Sequence, residues 1–124
     1  MDVEKQLSFW NDGAREELAA ARTLFRNGHI PQALFFAHLA VEKKLKARVL
    51  MATQQNPPYI HNLARLVELG CVDIPNEFER PLELLNRWQA RARYGAYPTG
   101  FKLEEAEPLL EFAEEFIAWL DKQQ

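Results

Sequence analysis

Apolar positions in residues 3 to 27 recur at helical spacing, with Leu7, Trp10, Ala14, Leu18, Ala21 and Phe25 on one face and Lys5, Asp12, Arg15, Glu16 and Arg22 opposite. That pattern predicts an amphipathic first helix. Asn27-Gly28-His29-Ile30-Pro31 follows, and a glycine past a helix end with a proline at the next helix start marks a reversal into an antiparallel neighbour. Residues 31 to 51 differ in kind. Ala33, Leu34, Phe35, Phe36, Ala37, Leu39, Ala40 and Val41 leave the first half apolar on almost every side. Glu42, Lys43, Lys44, Lys46 and Arg48 make the second half polar on one side only. A helix apolar all round is one that other helices surround, so this stretch is predicted to be the centre of a helical bundle.

Asn56-Pro57-Pro58 stops the central helix and leaves an extended connection over 52 to 60. A short third helix is expected from His61 to Leu69, closed by Gly70, then a loop from Cys71 to Pro75. Asn76 to Arg93 reads as a fourth helix with Phe78, Leu82, Leu85 and Trp88 or Gln89 inward, and Pro81 predicts a start displaced to Glu79 or Arg80. Two glycines and a proline exclude regular helix from Tyr94 to Gly100. A last helix from Leu103 to Lys122 is expected to bury Leu103, Ala106, Leu109 or Leu110, Ala113, Phe116, Ile117 and Leu120. Its outer face, with Glu104, Glu105, Glu107, Glu111, Glu114 and Glu115, reads as a solubilising surface. Nowhere does a period-two alternation last long enough for a strand, so the fold class is all-α.

Composition adds bounds to this picture. At 124 residues and 48% apolar, the chain is the size of one domain, residues 1–124, able to bury a core without disulfides or metals. Fifteen basic against 18 acidic side chains give a formal charge of −3, so net charge provides no general attraction to nucleic acid. Cys71 is alone, and no Cys and His spacing suits a metal. The N-terminus MDVEKQLSFW lacks a signal-peptide core and no apolar run approaches a membrane span, so a cytoplasmic location without membrane contact is expected.

Signatures of catalysis are missing: there is no Gly-rich phosphate loop, nucleophile elbow or HExxH pair. Three clusters remain. His38, Glu42 and Lys46 recur every four residues, and Glu42 before Lys46 is the favourable order for an ion pair. Such a stripe is either the wall of a site or an ordinary solvated edge, and spacing alone favours the edge. Arg87, Arg91, Arg93, Tyr94 and Tyr97 join guanidiniums to phenols at the end of the fourth helix and in the loop beyond it. They suit phosphate holding and base stacking, or equally a favourable helix C-terminus with amphipathic plugs. In the third cluster, Tyr59, His61 and Asn62, one of the last two caps the short helix.

Taken together these segments resemble the HEPN family, a nucleotide-binding domain of eukaryotes and prokaryotes. Ala40, Glu42, Lys43, Leu45, Lys46 and Ala47 match its central block. His61 and Leu63 match a Pro-x-x-His-x-Leu segment, and Arg93, Tyr94 and Pro98 an Arg-Tyr segment with a nearby proline. The resemblance implies an up-and-down bundle of four to five antiparallel helices, a homodimer, and association with a minimal nucleotidyltransferase, in several cases as a toxin–antitoxin pair. Many members are metal-independent ribonucleases with an Arg, four to six residues, and a His near the last helices. Here no His follows Arg91 or Arg93, and the only string of that spacing, Arg22 to His29, lies at the first turn.

The expectation is therefore an accessory domain without catalytic residues, metal or cofactor, which binds a nucleotide or RNA end beside a nucleotidyltransferase partner. Its site would comprise Arg91, Arg93, Tyr94, Lys43, Lys46, Glu42 and His61, with Tyr94 or Tyr97 as a stacking or modified tyrosine. The alternatives are a metal-independent ribonuclease toxin using His61 or His38, and a non-catalytic protein–protein interaction module.

Overall fold

A computed structural model describes residues 1–89 and 97–123. Five helices pack together: α1 Val3–Arg26, α2 Ile30–Thr53, α3 Leu63–Leu69, α4 Asn76–Asn86 and α5 Ala106–Asp121. Among the described residues there is no strand and no helix long and apolar enough to cross a membrane. Asp2 caps α1 by accepting from Lys5 N–H at 3.1 Å. The helix ends at Asn27, and Gly28 turns the chain at φ +82°, a conformation glycine adopts without strain. Pro31 sits in the first turn of α2, as expected.

Helix α2 touches each of the other four, because Ala33, Leu34, Ala37, Ala40, Val41, Leu45 and Leu50 are all fully or nearly fully buried on its several sides. It runs to Thr53 and stops at Gln54, whose left-handed backbone (φ 59°) still donates N–H to the Leu50 carbonyl. Lys44 reaches Asn11 at 2.8 Å and pairs with Asp121, while Arg48 donates to the Gln123 carbonyl at 2.9 Å. These bonds tie α2 to α1 and to the end of α5. Between α4 and α5 lies an aromatic cluster in which Phe78 meets Phe112, Phe116 and Trp119 edge to face at 5.4 to 5.6 Å.

Several expectations change. Helix α3 starts at Leu63, with Asn62 rather than His61 as its cap. Helix α4 starts at Asn76 with Pro81 inside it, since burial of Phe78, Leu82 and Leu85 holds the turn that loses one hydrogen bond. It ends at Asn86, with Arg87 to Gln89 in turns rather than in the expected helix, and the rest of that expected helix, Ala90 to Arg93, lies outside the described residues. Leu103 to Glu105 form a 3-10 turn in which the Glu105 carboxylate accepts from Lys102 N–H, so α5 begins three residues late. Leu103 is 66% exposed rather than buried, while Leu109 and Leu110 are both buried.

Candidate functional site

The stripe on α2 is not a solvated edge. His38, Glu42 and Lys46 are 1%, 4% and 4% exposed, with His61 of the connection after α2 lying against Glu42 and Trp10 of α1 beside Lys46. The helix has already ended at Gln54, and the extended Asn56-Pro57-Pro58 stretch leads the chain back against the helix it has just left. Asn86 at the end of α4 fastens the far side, accepting from Leu63 N–H at 2.9 Å.

At the centre is the Glu42 carboxylate. Lys46 Nζ donates to it at 2.9 Å, and His61 Nδ1 lies 3.1 Å from both carboxylate oxygens. Because a carboxylate paired with an ammonium only accepts, His61 donates through Nδ1, which in a neutral imidazole leaves Nε2 as the acceptor. The Lys46 ammonium lies 5.4 Å from the Trp10 ring centroid and 5.7 Å from that of Tyr59. Burying an ion pair is costly; the His61 hydrogen bond and the two aromatic faces offset part of that cost.

His38 occupies the inner end of the stripe. Its Nδ1 lies 3.8 Å from Glu42 Oε1, and its buried Nε2 makes no hydrogen bond of good geometry among the described residues. Desolvation by burial lowers its pKa from 6.5 to about 4, and the opposing pull of Glu42, Asn86 and the His61 backbone does not offset it. His38 is thus neutral at pH 7. Below pH 6.5 the unfolded chain takes up a proton that the folded chain refuses until about pH 4. Stability therefore falls as pH falls through this window, by about 3 kcal/mol, and His38 adds no pH dependence above it. Urea unfolding at pH 7 and pH 4.5 will show a larger loss for wild type than for His38→Gln; equal losses would remove His38 as the cause.

Of the residues singled out from sequence, the structure brings Glu42, Lys46 and His61 together. Lys43 is turned toward α1, where it pairs with Glu17 at 3.1 Å. Tyr97 stacks on Phe101 at 5.4 Å and meets the edge of Trp88, beside a cavity of about 270 Å³ between α4 and the start of α5. Arg91, Arg93 and Tyr94 lie outside the described residues. Arg22 is tied to Glu114 of α5, while His29 is exposed at the start of α2. Sequence reasoning passed over Trp10 as an ordinary apolar position and did not single out Asn86. Tyr59 stands two residues before His61 in the sequence, but no spacing shows that it meets Lys46. No group of His, Cys, Asp and Glu side chains among the described residues suits a metal.

The HEPN domain profile matches residues 7–123. Among solved structures, the chain is similar to TT1696 from Thermus thermophilus, at 24% identity with a TM-score of 0.79, covering 94% of this chain and 97% of that one. It is similar also to an archaeal HEPN homologue, at 18% identity with a TM-score of 0.72, covering 93% and 94%. At these identities the likeness is one of fold. Comparison with curated protein sequences finds no match.

Proposed function

This chain belongs to the HEPN domain family, and from that premise we propose that it is an accessory domain that binds a nucleotide or an RNA end. It works as a homodimer in the cytoplasm beside a minimal nucleotidyltransferase, in the manner of a toxin–antitoxin pair. The observation that carries this reading is the buried Glu42–Lys46–His61 network, which holds three ionisable side chains in fixed positions at the edge of the bundle. In this reading Arg91 and Arg93 grip phosphate and Tyr94 positions the nucleotide. Lys46 and Glu42 set the orientation of His61, and Lys43 adds positive charge on the adjoining flank.

Titration of ATP and of a short RNA against wild type and Arg93→Ala tests the site. Binding by wild type that weakens about tenfold in the variant is expected, the loss of one charge-assisted contact. Identical binding in the two proteins removes Arg93 from the site. No binding to either leaves an interaction module. A second reading rests on the Glu42–His61 pair, since a histidine oriented by a carboxylate is equipped to move a proton. It makes the chain a metal-independent ribonuclease in which His61 takes the proton of an RNA 2′-OH. The same RNA samples decide it: cleavage without metal that is lost in His61→Ala and kept in His38→Ala establishes the nuclease, and intact RNA excludes it.

A further inference from the structure

Tyr59 is 89% exposed, yet its ring has fixed neighbours. The Lys46 ammonium lies over the ring at 5.7 Å from its centroid, and the His61 ring stands near it at 5.2 Å and 72°. Those neighbours are themselves held, Lys46 and His61 both by the buried Glu42 carboxylate. An aromatic ring positioned by a cation on one side and open to solvent on the other is a stacking surface. The cation also draws π density from the ring, which favours an electron-rich partner on the open face. In the neutral imidazole the Nδ1 bond to Glu42 makes His61 Nε2 a hydrogen-bond acceptor, and this atom makes no hydrogen bond among the described residues.

We propose that Tyr59 and His61 read the base: a purine stacks on the open face of Tyr59, and its exocyclic amine donates to His61 Nε2. The inference rests on the nucleotide-binding reading above and adds to it the ligand class. The site takes amino-purines, adenine or guanine, in preference to hypoxanthine, which lacks the amine, and to uracil, which lacks both the amine and the larger stacking area. It also assigns the base platform to the connection between α2 and α3 rather than to the tyrosines that follow α4.

Fluorescence titration of ATP, inosine triphosphate and UTP against wild type, Tyr59→Ala, Tyr59→Trp and His61→Ala tests it, with circular dichroism melting to verify each fold. For wild type, ATP is expected to bind about fivefold tighter than inosine triphosphate, the value of one hydrogen bond, and UTP weakest. Tyr59→Ala weakens ATP about tenfold, the loss of one base stack, while Tyr59→Trp retains it. His61→Ala abolishes the difference between ATP and inosine triphosphate. If wild type binds ATP and Tyr59→Ala binds it equally well, the base platform is overturned while nucleotide binding stands. If ATP and inosine triphosphate bind alike to wild type, the role of His61 is overturned. Absence of binding to wild type overturns the parent reading and this one with it. A lower molecular mass of Tyr59→Ala in light scattering, with ATP binding intact, would show the ring to be a contact between copies and also overturn the proposal.

Discussion

Replacing Glu42 by Ala is expected to destabilise the protein by about 3 to 5 kcal/mol, the scale for breaking a buried ion pair from one side. The reason is what remains. Lys46, 4% exposed, loses its only carboxylate partner among the described residues, and His61 loses the acceptor for Nδ1. The ammonium keeps two aromatic faces, Trp10 and Tyr59, which are worth less than a desolvated ion pair. A double variant, Glu42→Leu with Lys46→Met, removes both charges and keeps the volume, so it will recover much of the loss. Urea unfolding of the three proteins measures it. A single variant within about 1 kcal/mol of wild type would mean that water reaches Lys46, and that the network is not held apart from solvent.

Phe116→Ala is expected to cost a similar amount, about 3 to 5 kcal/mol, by a different cause. Phe116 is fully buried in α5 and meets Phe78 at 5.6 Å, Phe112 at 5.6 Å and Trp119 at 6.0 Å. Truncation loses its apolar burial and leaves a void between α4 and α5 that neighbouring rings fill only in part. Thermal unfolding followed by circular dichroism will show the drop, and the Glu42 network should survive it. The check is nucleotide titration below the melting temperature: a variant that melts early yet binds as wild type separates the scaffold from the site.

The main outlines of this bundle were readable from residues because their causes are local. Gly28 and Pro31 bracket the first reversal, and the run from Ala33 to Val41, with His38 its one polar side chain, is apolar on almost every side. Errors arose where a distant segment decides. Nothing in the spacing of His38, Glu42 and Lys46 tells whether another part of the chain crosses over them; Tyr59 and His61 do so from beyond the Asn-Pro-Pro break. Lys43 stands in the same central block as Glu42 in the family resemblance, yet the block says nothing of where each side chain turns. Adjacent helical residues point about 100° apart, which sends Lys43 to Glu17 instead. Pro81 was weighed by local propensity, but the inner face of α4 outweighed it. Leu103 was assigned inward by extending a periodicity that belongs only to α5, whereas the residue sits in a 3-10 turn with a different period.

Helix α2 carries two separate polar lines, one of Glu42 and Lys46 toward Tyr59 and His61, the other of Lys44 and Arg48 toward Asn11, Asp121 and Gln123. A slip of one residue along this helix would advance it about 1.5 Å and rotate it about 100°, driving three of these four charged groups onto positions held by buried apolar residues such as Leu45 and Ala47. The helix is thereby keyed like a shaft with two splines, so neither sliding nor spinning is open to it. A relative shift within the bundle therefore belongs to the elements packed around α2 rather than to α2 itself.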